Sequence, residues 1–258
     1  SDRISAGDAE LTLLTALPNV KRLRLSGSGI TSAGAKRLAA MGGLVELSLL
    51  DAQIDNDGLG QLARLSNLTS LSVQRSALLT DDGLERLKRM PKLVSLGLLD
   101  VGITDKGMAH LAALTRLRML DLRGCAQVTD AGLEQLRTLE SLKTLRLRGH
   151  ALGDSSLATV KKSLPRLTGL TLEESSVTDA GLGHLADLPL EELSLFRCYS
   201  VTDDGLKHLK NLAGLRHLSL RDMPILGTGL VHLRDKQGLR YLRLSETGVD
   251  DAAMEHLK

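Results

Sequence analysis

Four histidines recur at a fixed interval in the C-terminal half of the chain. His184, His208, His232 and His256 are each 24 residues apart. Aligned imidazoles are able to bind a metal or to respond to pH near neutrality. A zinc site needs three or four ligands that converge on one point, and neighbouring helices would hold these histidines too far apart. We therefore expect an exposed column of repeat-derived histidines, with no metal and no cofactor.

The two cysteines of the chain, Cys125 and Cys198, are separated by three copies of a sequence repeat. Three strand spacings of about 4.8 Å put roughly 15 Å between them, beyond the ~7 Å Cα–Cα limit of a disulfide. Other copies carry small or apolar residues at this position, so both thiols are predicted to be buried and reduced. The lack of a disulfide favours a cytoplasmic location, although the compartment stays open.

Motifs that carry catalysis are missing from the sequence. It contains no Gly-x-Ser-x-Gly, Gly-x-x-x-x-Gly-Lys, His-Glu-x-x-His or Cys-x-x-Cys. The acidic pairs Asp81-Asp82 and Asp203-Asp204 fall at the start of predicted helices, where the helix dipole favours negative charge. The sequence therefore predicts that the protein is not an enzyme and has no catalytic residues.

A repeat of 23–25 residues runs through the chain. In each copy the first half alternates apolar and polar residues, as in a half-buried strand, and the second half spaces apolar residues as in a helix. Each copy thus predicts one strand followed by a helix of about ten residues. The pattern Leu-x-x-Leu-x-Leu, with Val replacing one Leu in two copies, begins at Val20, Leu44, Leu68, Leu93, Leu117, Leu142, Leu167, Leu190, Leu215 and Leu239.

The predicted helices have recognisable first turns. Thr104 is placed to cap the helix of repeat four with its hydroxyl, and Ile103 and Met108 are spaced as a hydrophobic staple. Repeat six has Gly153 where others have Thr, and repeat nine has Pro224 in the turn. We expect the helices of these two repeats to begin irregularly.

The repeat resembles leucine-rich repeats over almost the whole chain. Residues 117–133 and 190–206 read Leu-x-x-Leu-x-Leu-x-x-Cys-x-x-Val-Thr-Asp-x-Gly-Leu, similar to the cysteine-containing class of F-box proteins. The phrase Val-Thr-Asp-Ala-Gly-Leu at 177–182 is similar to bacterial repeat arrays. The resemblance implies a binding scaffold. No F-box segment is visible, so a ligase-adaptor role is not implied.

Stacking of such units predicts one α/β fold, a curved leucine-rich-repeat solenoid. A parallel concave sheet of about ten strands would carry the helices on its convex side. Residues 1–258 are predicted to be a single domain, with a degenerate part-repeat at 1–19 and ten repeats at 20–258. We expect this domain to belong to a longer protein. The alternative is that the degenerate terminal repeats act as caps for the ends of the solenoid.

Composition narrows the function classes. The chain has 60 leucines, one Phe, two Tyr and no Trp, so its core must be aliphatic. The formal net charge of +2 is too small to indicate the basic surface of a protein that binds nucleic acid or anionic membranes. No apolar run approaches the ~20 residues of a membrane span.

The outward strand positions differ between the two halves. The first half offers mainly Ser and Gly, whereas the second half holds arginines, two of the three aromatics (Phe196 and Tyr241) and a floor of small residues (Gly169, Thr171, Ser194 and Ser219). Arg and Tyr dominate interface hot spots. Alternatively, Arg148 pairs with Glu173 and Arg221 covers the Phe196 ring as a structural ladder. The predicted partner-binding residues are Arg146, Arg148, Glu173, Glu192, Phe196, His217, Arg221, Tyr241 and Arg243.

These features predict a non-catalytic protein-recognition scaffold. Its partner is expected to be a protein with acidic groups and an apolar rim, bound on the concave face of the C-terminal half. Two alternatives stay open. One is a module that binds glycans or small anions, and the other is a structural spacer in a larger protein. Partner identity and oligomeric state are not encoded in any motif of the sequence.

Overall fold

The computed structural model describes residues 7–14 and 16–257. They divide into two compact units, one within Ser1–Leu142 and one within Lys143–Lys258. In each unit, neighbouring strands pair in parallel and follow one another in chain order. The single domain spanning 1–258 stays a prediction.

The strands lie where the alternating half of each repeat predicts them. Each has five residues except the last, which has three. The first unit contains β1 (Arg22–Ser26), β2 (Glu46–Leu50), β3 (Ser70–Gln74), β4 (Ser95–Leu99) and β5 (Met119–Arg123). The second unit contains β6 (Thr144–Arg148), β7 (Gly169–Glu173), β8 (Glu192–Phe196), β9 (His217–Arg221) and β10 (Tyr241–Arg243).

A helix follows every described strand, as predicted, but most are shorter or tighter than expected. The α-helices are α1 (Leu11–Leu14), α2 (Ser32–Leu38), α3 (Asn56–Leu62), α4 (Asp81–Leu84), α5 (Asp105–Met108), α6 (Asp130–Glu134), α7 (Asp154–Ser163) and α8 (Asp179–Leu182). The 3₁₀ helices are Glu85–Arg89, Ala109–Ala113, Gln135–Thr138, Gly183–Leu185, Asp203–Asn211, Thr228–Leu233 and Ala253–Leu257.

The spacing of apolar residues differs between the helices of repeats four and six. In repeat four, Met108, Leu111 and Leu114 are three residues apart and all buried, which suits the three residues per turn of a 3₁₀ helix. Repeat six instead spaces Leu157, Val160 and Leu164 by three and then four. That spacing matches an α-helix, and α7 is the longest helix among the described residues.

Two expectations about helix starts have opposite outcomes. The irregular start expected for repeat six is wrong: Gly153 has the extended backbone of an N-cap residue, and its N–H donates to the Ser156 hydroxyl at 3.2 Å. Repeat nine does begin irregularly: Gly227 precedes its 3₁₀ helix with φ +106°. In repeat four the Thr104 hydroxyl accepts from the Lys106 N–H, so the predicted cap is confirmed.

Within each unit, strand register keeps equivalent residues level. Leu47 pairs with Leu71, and Ser48 with Ser72, in the first unit; Leu170 pairs with Leu193 in the second. In β2 to β9 the leucines of one strand face are almost completely buried, whereas most residues of the other face are half-buried or exposed. The predicted α/β fold with parallel strands and intervening helices is confirmed. The outward residues of each unit therefore form aligned rows, which we call the open face.

Candidate partner-binding face

A cleft of about 190 Å³ lies on the open face of the second unit. All five strands of that unit contribute to it. Because neighbouring strands are about 4.8 Å apart, its residues span roughly 19 Å from β6 to β10. It is lined by Thr144, Arg146, Gly169, Leu170, Thr171, Glu192, Leu193, Ser194, His217, Ser219 and Tyr241.

The floor of the cleft follows from residue size. Gly169, Thr171, Ser194 and Ser219, which the sequence analysis identified as small floor residues, all line it. Register places Thr171 level with Ser194, and Ser194 level with Ser219. Since none of these side chains extends far from the sheet, the larger side chains of the flanking rows stand above them. Thr171, Ser194 and Ser219 give the floor a hydroxyl group on each of three strands, and a hydroxyl can both donate and accept a hydrogen bond.

Tyr241 and His217 form one wall of the cleft. Their ring centroids are 6.0 Å apart at an interplanar angle of 40°, within the range of favourable aromatic pairs. His217 Nδ1 lies 3.9 Å from Glu192 Oε1. Tyr241 is 48% exposed, so about half of its surface is accessible to a partner. This wall combines apolar surface, a phenol and a carboxylate.

Beside the cleft, Phe196 lies between two guanidinium groups. The Arg221 guanidinium carbon is 3.9 Å from the ring centroid, and that of Arg197 is 4.7 Å away. Both distances are within the ~6 Å limit of a cation–π contact. The alternative structural role, in which Arg221 covers the Phe196 ring, is therefore present in the fold. It leaves the hydrogen-bonding edge of the Arg221 guanidinium available, because stacking engages only the flat face.

Arg197 differs from Arg221 in having acidic partners. Its Nε donates to Asp222 Oδ2 at 2.8 Å, and its guanidinium lies 3.6 Å from Glu174 Oε1. The hydrogen bond to Asp222 raises the pKa of the Arg197 guanidinium above its ordinary value. The Tyr199 hydroxyl also approaches Asp222 Oδ2, at 3.4 Å. Arg197 is thus held by the fold at the edge of the open face.

The predicted site residues fall into two neighbouring groups. Arg146, Glu192, His217 and Tyr241 line the cleft. The others lie on the same strands, one or two positions closer to the strand ends. Arg148, Glu173, Phe196 and Arg221 form one row, in which Arg148 is level with Glu173 and Phe196 with Arg221. Arg243 is level with Ser219 and donates from Nε to the Ser245 hydroxyl at 2.9 Å. Their role in binding stays a prediction.

Sequence reasoning missed the turn residue that follows each strand. In every copy its φ is positive: it is Gly at 27, 124 and 149, and a charged residue with φ between 48° and 59° at the other seven positions. Such backbone usually favours Gly. Here neighbouring turn residues of opposite charge form ion pairs, as Arg197 does with Glu174 and Asp222. The sequence signal for this turn was the presence of glycine at the same repeat position in three copies, at 27, 124 and 149.

Both cysteines are free and buried, as predicted. Cys125 Sγ lies 3.1 Å from the Leu98 carbonyl oxygen. Cys198 Sγ lies 3.2 Å from the Ser175 hydroxyl, and burial raises the pKa of its thiol above 9.0. A thiolate would be needed for nucleophilic or redox chemistry. The surroundings of Cys198 therefore support a packing role.

The histidine column is partly exposed. His184 and His256 are exposed, and His208 and His232 are half-buried. Within residues 7–14 and 16–257, no three His, Cys, Asp or Glu side chains form a cluster that could hold a metal ion. No helix in that same part of the chain has the length and apolar character needed to cross a membrane.

Comparison with known proteins agrees with this architecture. A family model described as a leucine-rich repeat matches residues 16–39. No curated protein matches the chain. Internalin C2 of Listeria monocytogenes is 26% identical with a TM-score of 0.52, over 76% of this chain and 80% of that one. A chain of the Rad7–Elc1 complex of yeast is 25% identical with a TM-score of 0.60, over 98% of this chain and 76% of that one.

The subclass resemblances, to F-box-type repeats and to bacterial Val-Thr-Asp-Ala-Gly-Leu arrays, stay predictions. The broader assignment has three independent supports: the 23–25-residue repeat, the strand and helix in each copy, and the matched family and structures. The chain is built of leucine-rich repeats.

Proposed function

We propose that the protein is a non-catalytic recognition scaffold that binds a partner protein on the open face of its second unit. The observation that carries the proposal is the cleft itself. Five consecutive strands contribute to its lining, and Arg146, His217 and Tyr241 stand around a floor of small residues. Recognition sites of proteins combine accessible aromatic or Arg anchors with a surface that fits the partner.

The size of the cleft favours a segment of polypeptide. An extended chain rises about 3.3–3.6 Å per residue, so roughly six residues would cross the 19 Å from β6 to β10. The hydroxyls of Thr171, Ser194 and Ser219 are placed to bond the backbone of such a segment, and Tyr241 offers apolar area for one of its side chains. The yeast structure that this fold resembles is itself a complex of two proteins, Rad7 and Elc1.

A binding module for glycans or small anions is the second candidate. The hydroxyl-lined floor beside Arg146 supports it, because hydroxyls and a guanidinium are suited to sugar and sulfate oxygens. Titration of sulfated oligosaccharides against short peptides separates the two functions. Preference for the peptide supports the scaffold.

Site-specific crosslinking tests the proposed function. The photoreactive residue benzoylphenylalanine is placed at Ser194 on the cleft floor, or at Ser72 in the same strand position of the first unit. Adducts formed in lysate of the source cells are then identified by mass spectrometry. We expect a defined protein adduct from position 194. An adduct from position 72 alone would contradict the assignment.

Substitution of Tyr241 in the cleft wall tests how much this residue contributes to the binding free energy. Tyr241→Ala is expected to weaken the identified partner by about 2 kcal/mol or more if the ring is a hot spot, which is roughly thirtyfold in Kd. The paired control is Arg22→Ala with Arg24→Ala, on the open face of β1 in the first unit. Binding that survives Tyr241→Ala but not the β1 control would place the interface elsewhere.

A further inference from the structure

Arg221 and Arg243 form a pair of cationic groups beside the cleft. Arg221 lies on β9 and Arg243 on β10. The Asp222 N–H donates to the Ser245 carbonyl oxygen at 3.0 Å, which places Ser245 next to the end of β9. Arg243 Nε donates to the Ser245 hydroxyl at 2.9 Å. Arg221 and Arg243 thus lie on neighbouring strands, and Ser245 follows Arg243 beside the end of β9.

The Arg221 guanidinium is oriented by the ring beneath it. Its carbon is 3.9 Å from the Phe196 centroid. Within residues 7–14 and 16–257, no carboxylate, hydroxyl or carbonyl group accepts a hydrogen bond from this guanidinium. Stacking fixes the plane of the group while its N–H donors remain in that plane, and a planar fork of donors matches a carboxylate or phosphate.

The nearby acidic groups do not neutralise Arg221. Asp222, its neighbour in sequence, bonds to Arg197. Glu173 is level with Phe196 on β7, so it is two strand steps, or roughly 10 Å, from the β9 position of Arg221. A cation held rigidly without a carboxylate at bonding distance is a favourable point for an external anion.

We propose that Arg221, with Arg243 on the neighbouring strand, binds an acidic side chain, carboxylate or phosphate, of an extended peptide segment. This inference rests on the proposed function, and it specifies the chemistry of the partner. The peptide segment lies in the cleft and passes Tyr241. Its acidic group then lies close to the aromatic wall formed by Tyr241 and His217. Phe196 positions Arg221 and does not itself contact the anion.

Oriented peptide libraries test the proposal without knowledge of the partner. Nine-residue peptides carry Glu, phosphoserine or Gln at the central position, with the other positions randomised. Capture on the immobilised chain is expected to favour Glu or phosphoserine over Gln by about tenfold, the usual effect of hydrogen bonds to a charged group. The ratio of Glu to phosphoserine distinguishes a carboxylate from a phosphate. Equal capture of all three libraries would overturn the proposal.

Substitutions show which residues produce the preference for acidic peptides. Arg221→Gln with Arg243→Gln is expected to abolish the preference, whereas Arg22→Gln with Arg24→Gln in the first unit leaves it unchanged. Arg221→Lys keeps the charge but loses the planar fork, so the preference falls several-fold. Phe196→Leu keeps apolar bulk without an aromatic face, and it lowers the preference in the same direction. A preference unchanged by the Arg221/Arg243 pair of substitutions would refute the assignment.

Two further outcomes separate this inference from the proposed function. If the crosslink from position 194 forms with full yield in the Arg221/Arg243 variant, the anion site is wrong while the scaffold stands. If no protein crosslinks at that position, the scaffold itself fails. Capture of sulfated oligosaccharides that depends on Arg221, with no preference among the peptides, would overturn the peptide assignment in favour of a glycan.

Discussion

Asp81 of one repeat bonds to Thr104 of the next. Its two carboxylate oxygens accept from the Thr104 N–H and from the Thr104 hydroxyl, each at 2.7 Å. The same arrangement joins Asp105 to Thr129 in the first unit, and Asp179 to Thr202 in the second. The cap residue of each of these helices is thus held by the preceding repeat.

The neighbouring carboxylates Asp81 and Asp82 permit a matched test of this contact. Both lie in the first turn of α4, but Asp82 is exposed. Asp81→Ala is expected to lower the free energy of unfolding by about 2–3 kcal/mol, because two hydrogen bonds to a charged group are lost. Asp82→Ala should change it by less than ~0.5 kcal/mol. If urea unfolding showed equal losses for Asp81→Ala and Asp82→Ala, the two carboxylates would stabilise the protein only through the helix dipole.

The glycine near the start of α6 is required by the same contact. A Cβ at Gly132 would overlap Asp105 Oδ1, which the two bonds to Thr129 hold in place. Gly132→Ala is therefore expected to destabilise the protein by about 1–3 kcal/mol, as overpacking does. Gly42→Ala is the control, because a Cβ there has no neighbour within 4 Å. Comparable thermal stability of the two variants would contradict this reasoning.

The two faces of a strand predict different costs of truncation. Leu120 is completely buried on β5, whereas Leu99 is half-buried on the open face of β4. Leu120→Ala is expected to cost roughly 2–5 kcal/mol of unfolding free energy, and Leu99→Ala considerably less. Chemical denaturation measures both. If Leu99→Ala were as damaging, the assignment of faces would be shifted by one residue.

The turn after β10 offers a substitution that should stabilise the fold. Glu246 has φ +59°, a conformation that is unfavourable for residues with a Cβ by roughly 1–2 kcal/mol. Glu246→Gly removes this strain at some entropic cost, so we expect a net gain of about 0.5–1 kcal/mol. Ser245→Gly, one residue earlier, should instead lower the melting temperature. A lower melting temperature for Glu246→Gly would show that the side chain contributes more than the strain.

Thiol labelling tests the buried cysteines. Cys198 is 0% exposed, and because burial raises its pKa, little thiolate forms in the folded protein at pH 8. Labelling by a thiol reagent should be slow in the native state and complete in denaturant. The raised pKa also makes this group stabilising below the unfolded pKa, and that stabilisation is lost as pH rises through the folded value. Tyr199→Cys, at a position 60% exposed, provides a rapidly labelled control.

The strands, the face of each strand residue and the position of the small-residue floor could be predicted from the order of the amino acids. Those features follow from local rules. An alternating pattern has a period of two, so Leu47 and Ser48 must face opposite sides wherever the strand lies. The repeat length then aligns the copies, which is why the cleft floor at Gly169, Thr171 and Ser194 was predictable.

Only the tertiary structure decided the contacts between copies. The bond from Asp81 to Thr104 depends on how far the next repeat is displaced, which no local pattern states. The stacking of Arg221 on Phe196 depends on side-chain rotamers on two strands. The same sequence would equally allow Arg221 to pair with a carboxylate. Hydrogen bonds and ring contacts require positions accurate to within an ångström, whereas burial requires only the correct side of the sheet.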